Sequence, residues 1–196
     1  VDSGTYAYHT DKMWRDYFRG TSAHNSLRVD RQDQSVSGGN FLWTRHANSR
    51  LLRSDARDGG VSVAGVHEGY TRLADPVRHV RELEFLQADS TLVVVDVLEC
   101  KGTHFVEVFW HFAAECRVSR LGSQLKIERG SVTVVLEPPA MLSLQLLQAR
   151  EEDPLGWLST SLDSRFPSSV AVLSGEVHGS VSMRSVLRIR RKQDEL

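Results

Sequence analysis

The chain has 196 residues, of which 40% are hydrophobic and 25% charged, a composition typical of a globular protein with one core. Its formal net charge of −1 at pH 7 argues against a nucleic-acid binder, because such proteins carry a strong basic excess. The longest uninterrupted apolar runs, such as residues 92–95, are far too short for a bilayer, so no membrane span is predicted.

The hydrophobic pattern predicts strands along almost the whole chain. One short helix is predicted over residues 11–18, with Asp11 as its cap. Apolar residues then alternate with polar ones around residues 82–85, 106–109 and 186–189, and Gly-containing turn signals separate the runs. About a dozen short strands at this spacing predict an all-β fold, namely a two-layer antiparallel β-sandwich.

No linker or internal repeat interrupts the chain, so a single domain over residues 1–196 is expected. The charged tail, residues 190–196, is expected to fray. Cys100 and Cys116 lie in strand-like segments, and two interpretations stay open for them: a disulfide between neighbouring strands, or two buried, inert thiols. Neither a CxxC pair nor a Cys/His cluster predicts a structural zinc site.

Basic charge is concentrated in the first part of the chain. Residues 1–81 carry 12 Lys and Arg against 9 Asp and Glu, whereas residues 82–196 carry 12 against 16. Most of the basic residues are arginines, whose guanidinium groups hold carboxylates and sulfates with paired hydrogen bonds. This pattern suits an acidic substrate, although codon bias and an ordinary solvated surface explain it equally well.

The segment 2–43 is unusually dense in Tyr, Trp, Arg, His and Asn. Aromatic rings stack on sugar faces while Arg and Asn bond hydroxyls and carboxylates, so the composition indicates a ligand site. The alternative is an aromatic-rich sheet edge. Composition alone does not choose between the two.

A resemblance rests on three runs in that segment: DSGTYAY at 2–8, WRDYFRGTSAHNSLRVDRQDQS at 14–35 and GGNFLW at 38–43. They resemble the opening of the heparinase II/III-like domain, and the later runs PVRHVR, FWHF and LGWLS fit as well. Lyases of that family cleave acidic polysaccharides such as heparin, heparan sulfate and alginate by β-elimination. The resemblance therefore implies a C-terminal β-sandwich, preceded by a helical toroid domain, with the active site in the cleft between them.

The resemblance also implies roles for residues of segment 1–45. Asp2 and His24 match two ligands of a zinc or other divalent cation, whose third protein ligand would lie upstream of this chain. Carboxylate and imidazole are ordinary zinc ligands. Tyr6 is the expected catalytic tyrosine in this chain, and the expected substrate-binding residues are Tyr8, Tyr17, Arg19 and Asn25. The main catalytic groups of the family come from the helical domain.

Two functional hypotheses follow. The chain is either the C-terminal domain of a polysaccharide lyase, inactive by itself and periplasmic or secreted in a bacterium, or a non-catalytic carbohydrate-binding or exopolysaccharide-assembly module. An unrelated β-sandwich would leave Asp2 and His24 far apart, whereas a shared metal needs their side chains within about 3–5 Å.

Several single positions carry smaller expectations. Arg31 stands where the family often has Gly after Val-Asp, which implies strain if the turn requires a positive φ. His46 is expected at the surface, and His79 and His111 are expected to make hydrogen bonds within strands. The remaining histidines, His9, His67, His104 and His178, show no companions in the sequence that suggest chemistry.

Overall fold

The structure is a computed structural model and describes residues 1–191. It contains one α-helix, α1 (Lys12–Arg19), and a 3₁₀ turn at Thr21–Ala23. The strands are β1 (Leu27–Val29), β2 (Val36–Ser37), β3 (Trp43–Arg45), β4 (Ser49–Arg57), β5 (Gly60–His67), β6 (Arg78–Leu86), β7 (Thr91–Glu99), β8 (Thr103–His111), β9 (Arg117–Leu121), β10 (Gln124–Arg129), β11 (Val132–Glu137), β12 (Ser143–Gln148), β13 (Trp157–Ser161), β14 (Ser164–Pro167), β15 (Ser169–His178) and β16 (Val181–Arg191).

The prediction of an all-β, antiparallel fold is confirmed. The strand pairs β1-β8, β12-β15, β13-β14, β2-β3 and those of the eight-stranded sheet are antiparallel, and the described residues contain sixteen strands where about a dozen were expected. The predicted fraying of the tail is wrong for Arg190 and Arg191, which pair with Thr133 and Val132 of β11. The rest of that tail, residues 192–196, lies outside the described residues.

The chain forms two compact units, each built from separated segments. The first unit comprises residues 1–47, 103–114 and 143–177. It contains α1 and a four-stranded sheet in the order β1-β8-β15-β12, together with the hairpins β2-β3 and β13-β14. The prediction of a single domain over 1–196 stays a prediction.

Helix α1 forms where the sequence predicts it, because Asp11 caps its first turn. The Asp11 carboxylate accepts hydrogen bonds from the N–H groups of Met13 and Trp14, which satisfies donors that have no partner inside the helix. Trp14 and Phe18 lie on the buried face. The Trp14 ring packs edge-on against Trp157 of β13 at 5.2 Å. The helix thereby fixes the segment that precedes it, residues 1–11, against the sheet.

The second unit comprises residues 48–102, 115–142 and the described residues from 178 onward. Its eight strands pair in the order β4-β5-β6-β7-β16-β11-β10-β9. Alternate residues such as Leu125, Leu136 and Leu98 are fully buried, as expected for strands with one covered face. Cys100 and Cys116, both in this unit, are not joined in a disulfide, so the disulfide interpretation is wrong; the Cys100 thiol instead donates to the carbonyl of Gly179 at 3.0 Å.

The turn over residues 29–32, which follows β1, gives Arg31 a backbone conformation that is costly for any residue other than glycine. The N–H of Gln32 donates to the carbonyl of Val29 at 2.8 Å, and Asp30 and Arg31 have φ values of 50° and 57°. Two successive positive φ values define a turn that favours Gly at its second position. The strain expected at Arg31 from the sequence is therefore present in the backbone.

We expect Arg31→Gly to raise the free energy of unfolding by about 0.5–1 kcal/mol, because glycine adopts this φ without a Cβ clash. Urea denaturation measures the change. Asp30→Gly is the matched control, because Asp30 has the same backbone conformation but also bonds His104 Nδ1 at 2.7 Å and the Phe105 N–H at 2.9 Å. That variant should lose stability. A loss in Arg31→Gly would contradict the strain argument.

Candidate functional site

Asp2 is held in place by hydrogen bonds on either side of it. The backbone nitrogen of Val1 donates to the carbonyl of His111 at 2.9 Å, and the N–H of Ser159 in β13 donates to the carbonyl of Ser3 at 2.8 Å. These contacts tie the first residues of the chain to β8 and β13. Asp2 lies between the two anchors, with a side chain that is 69% exposed.

The structure brings Asp2 and His24 together. One carboxylate oxygen, Oδ2, lies 2.8 Å from His24 Nδ1, and the other accepts the Gly4 N–H at 2.9 Å. His24 follows the 3₁₀ turn, and its N–H donates to the carbonyl of Thr21. Partial burial would raise the pKa of Asp2, but the hydrogen bonds from Gly4 and His24 hold that pKa below its ordinary value. The carboxylate is therefore ionised at neutral pH.

The pair lies in an open cleft of about 380 Å³. Besides Asp2 and His24, the lining combines aromatic rings with hydroxyl, amide and guanidinium groups. These residues are Thr5, Phe18, Arg19, Thr21, Gln34, Ser35 and Trp43, together with the backbone of Gly4. A cleft of this chemistry suits a ligand with hydroxyls and apolar faces.

The three predicted tyrosines have different surroundings. Tyr6 is only 8% exposed and stacks on Phe18 with ring centroids 5.8 Å apart, and Arg165 Nη1 donates to its hydroxyl at 3.4 Å. Tyr17 is also buried, and this burial raises its pKa to about 12. Tyr8 is 44% exposed and stacks on Phe41. Of the three tyrosines, Tyr8 is therefore the one whose ring is exposed to solvent.

Arg19 and Asn25 are held by the backbone. Arg19 donates to the carbonyls of Gly39 and Asn40, and its guanidinium carbon lies 4.3 Å from the ring centroid of Trp43. The Asn25 amide donates to Val1 and accepts the His111 N–H. Asn25 thus fastens the first residue to β8. The substrate contacts predicted for these two residues stay predictions.

Several cleft residues were not singled out from the sequence, among them Thr5, Gln34 and Trp43. Thr5 and Gln34 are common residue types without a motif, so the sequence holds no signal for them. Trp43 did carry a sequence signal, because it is the last residue of the GGNFLW run on which the resemblance rests. Its place in the cleft follows from hairpin β2-β3, where it pairs with Ser37.

The donor atoms of Asp2 and His24 fit a divalent cation. Two ligands bound at about 2.0–2.1 Å in a tetrahedron lie about 3.3 Å apart, which is close to the 2.8 Å between Oδ2 and Nδ1. Within residues 1–191 no group of three His, Cys, Asp or Glu side chains has a metal-binding arrangement. His111 is near, but its Nε2 donates to the carbonyl of Ser22, and burial lowers its pKa to about 4. The metal site predicted from the sequence stays a prediction.

The other histidines divide into surface and paired residues. His46 is exposed, as predicted. The sequence showed no companions that suggest chemistry for His67 and His104; in the structure His104 bonds Asp30 and His67 bonds His79. Both pairs join residues that are distant in sequence, which is why no local pattern revealed them.

His67 and His79 belong to a hydrogen-bonded series across β5, β6 and β7 that is half-buried at His67 and buried at His79 and Asp96. The Gly69 N–H donates to His67 Nδ1, His67 Nε2 lies 2.9 Å from His79 Nδ1, and His79 Nε2 lies 2.6 Å from Asp96 Oδ1. Because the Gly69 N–H can only donate, His67 Nδ1 is the acceptor of that hydrogen bond, and the His67 proton lies on Nε2. Burial, together with His79 and Arg81, lowers the pKa of His67 to about 4.

This lowered pKa predicts a loss of stability in mild acid. Unfolded His67 takes up a proton below about pH 6.5, whereas folded His67 does so only near pH 4. The unfolded state therefore binds more protons in this window. As the pH is lowered from about 6.5 to about 4, the free energy of unfolding decreases by a total of roughly 3 kcal/mol. Asp96 adds little there, because an unfolded aspartate begins to take up a proton only near the lower end of the window.

Urea unfolding of the wild type and of His67→Gln between pH 7 and pH 4 measures the effect. Glutamine keeps one donor and one acceptor but does not titrate, so the variant should show a shallower dependence on pH. The difference between the two proteins isolates His67 from the other titrating groups. Equal slopes would contradict the prediction.

The sequence matches one known family of proteins over most of its length. The family model described as Heparinase II/III-like, C-terminal, matches residues 1–187. The chain therefore belongs to this family.

Solved structures agree on the fold. The chain is similar to the heparan sulfate lyase HepC from Pedobacter heparinus, with 15% identity and a TM-score of 0.73 over 98% of this chain and 28% of that one. It is also similar to a heparinase III, with 17% identity and a TM-score of 0.74 over 99% of this chain and 28% of that one. The chain thus spans little more than a quarter of these structures. No curated protein sequence matches it.

Across residues 1–191 the structure has no helix with the length and apolar character needed to cross a membrane.

Proposed function

We propose that this chain is the C-terminal domain of a polysaccharide lyase that cleaves uronic-acid-containing polysaccharides by β-elimination. The observation that carries the proposal is the Asp2–His24 pair, 2.8 Å apart in the cleft of a heparinase II/III-like domain. In the reaction a base removes the proton at C5 of the uronic acid. The C4–O bond breaks, the leaving oxygen takes up a proton, and a C4=C5 double bond remains.

Asp2 and His24 would hold zinc or another divalent cation, with a third ligand upstream of this chain. The bound cation supplies positive charge beside the substrate. Asp2 is suited to the task because the Gly4 N–H fixes one of its oxygens and leaves the other directed at His24. The 3₁₀ turn fixes His24 in the same way through its own N–H. Both ligands are thus positioned before a metal arrives.

The tyrosines differ in how well their positions support their proposed roles. Tyr6 remains the candidate for proton transfer, with a hydroxyl that receives a hydrogen bond from Arg165. Tyr17 is a poor base, because burial raises its pKa to about 12. Tyr8 is exposed and is the better candidate for contact with a sugar ring.

The test is to express the complete gene product and supply alginate, heparosan and heparan sulfate. The C4=C5 double bond absorbs in the ultraviolet, so one of these polymers should give a rising absorbance. Asp2→Ala and His24→Ala should each lower activity and bound metal at least about tenfold. Glu99→Gln, which alters an exposed carboxylate in the second unit, is the control. No unsaturated product from any uronate polymer would contradict the lyase proposal.

A second candidate, a non-catalytic carbohydrate-binding or exopolysaccharide-assembly module, is favoured by one feature. Tyr6, the candidate for proton transfer in this chain, is largely buried. Such a module would bind the polymers in the same assay without forming a double bond. It would also bind with Asp2 replaced by alanine.

The family's C-terminal domain implies a partner N-terminal domain and a polysaccharide substrate. We propose that the partner is a helical toroid domain of the same protein and that the substrate is acidic. A periplasmic or secreted location in a bacterium follows from the class of substrate, because such polymers lie outside the cytoplasm.

A further inference from the structure

A loop with unusual exposure precedes β3. Phe41 is 70% exposed and Leu42 is 59% exposed, although large apolar side chains generally avoid water. Phe41 stacks on Tyr8 with ring centroids 5.4 Å apart and an interplanar angle of 26°. His9 meets the same Phe41 ring edge-on at 5.4 Å. An aromatic surface therefore faces solvent here.

The loop is held firmly despite its exposure. Arg19 donates to the carbonyls of Gly39 and Asn40, and Arg15 donates to the Asn40 side chain. His9 Nδ1 lies 3.0 Å from the Asn40 amide nitrogen. Two arginines of helix α1 thus donate hydrogen bonds to this one loop. Such preorganisation lowers the entropic cost of binding a ligand.

The same arginine connects the loop to the cleft. The Arg19 guanidinium stacks on Trp43, and both residues line the cleft with Asp2 and His24. Phe41 and Trp43 are two residues apart, so their Cα atoms lie no more than about 7 Å from each other. The loop that carries Phe41 therefore adjoins the cleft residue Trp43 along the chain.

We propose that Tyr8, Phe41 and Trp43 form an aromatic platform that binds successive pyranose rings of a polysaccharide strand leaving the Asp2–His24 pair. Recognition is by stacking on the sugar faces, while His9, whose Nδ1 accepts from the Asn40 amide, offers its other ring nitrogen to hydroxyls. The Arg19 guanidinium already donates hydrogen bonds to backbone carbonyls and stacks on Trp43. This subsite therefore recognises sugar rings and does not bind sulfate groups. The inference rests on the carbohydrate cleft of the proposed function.

The size of the platform favours a glycan over a protein partner. Three aromatic side chains bury about 150–250 Å² each when fully covered, or at most about 750 Å² together, and much of Tyr8 and Trp43 is already covered. A stable protein interface needs about 800 Å² on each partner. The polar residues beside the rings fit a hydroxyl-rich ligand.

The test measures binding of unsulfated heparosan hexasaccharide and disaccharide to the complete gene product by calorimetry, at about 0.1 M and about 0.5 M salt. Phe41→Ala should weaken hexasaccharide binding about 3- to 10-fold, at both salt concentrations, and leave disaccharide binding unchanged. Trp43→Ala should weaken both ligands. Phe166→Ala is the matched control, since Phe166 is 48% exposed in the same unit and should bind as the wild type does.

Hexasaccharide affinity that is unchanged in Phe41→Ala, or lowered equally in Phe166→Ala, would overturn the platform. So would a Phe41→Ala protein that binds sugar normally but loses a protein partner or changes its mass in solution. The proposed lyase is tested separately. If no polymer yields a double bond but Phe41→Ala still weakens binding, the lyase fails and the platform stands. If Phe41→Ala turns over polymer normally with an unchanged KM, the lyase stands and the platform fails.

Discussion

Replacing Gly4 with alanine is expected to lower the free energy of unfolding by about 2–4 kcal/mol. Gly4 has a φ of +79°, and a Cβ placed there would lie 2.0 Å from the carbonyl oxygen of Ser159. That oxygen belongs to the backbone of β13, which cannot rotate away. The strand-like bridge between Gly4 and Ser159 must therefore open.

Asp2 would lose its position in the same variant, because its Oδ1 accepts the Gly4 N–H. Bound metal in the complete gene product should therefore fall together with stability. Gly122→Ala separates the cost of the positive φ from the cost of the close contact with Ser159. Gly122 has a φ of +61°, but its added Cβ would meet nothing within 4 Å. That variant should cost only about 1 kcal/mol and leave metal content unchanged. Equal losses in the two variants would show that the close contact with Ser159 is unimportant.

Local sequence signals predicted the elements of this fold well. Asp11 caps a helix that begins one residue later, and alternating apolar residues mark β6, β8 and β16. These features depend on neighbours within a few residues, so composition and spacing are enough to reveal them. The sequence did not reveal the division into two units, because each unit joins segments far apart in the chain.

The candidate site was predictable only in part. The resemblance named Asp2 and His24, and the structure brings their side chains within hydrogen-bonding distance. Burial was not predictable from residue type: Tyr6 and Tyr8 are two positions apart, yet one packs on Phe18 and the other faces solvent. Nor did the sequence show that Arg19 is committed to carbonyls of residues 39 and 40, because that depends on the fold of a loop distant in the sequence.

His79 makes strand hydrogen bonds, as the sequence predicted, but its partners were not predictable for the same reason, and its series with Asp96 leads to the largest expected loss. Asp96 is 2% exposed and accepts hydrogen bonds from His79 at 2.6 Å and from Arg81 at 2.7 and 2.9 Å. Burial would raise the pKa of Asp96, but the charge of Arg81 and the hydrogen bond from His79 hold that pKa well below its ordinary value. The ionised carboxylate is thus the acceptor that orders this series.

We expect Asp96→Asn to lower the free energy of unfolding by about 3–5 kcal/mol in urea denaturation, because Arg81 keeps a largely buried charge without its counter-ion. The same two strands supply the control. Arg78 and Glu99 form a similar ion pair between β6 and β7, but Glu99 is half exposed, so Glu99→Gln should cost less than about 1 kcal/mol. Burial is then the variable that separates two ion pairs of the same type on the same strands. Similar losses in the two variants would mean that burial is not what makes Asp96 important.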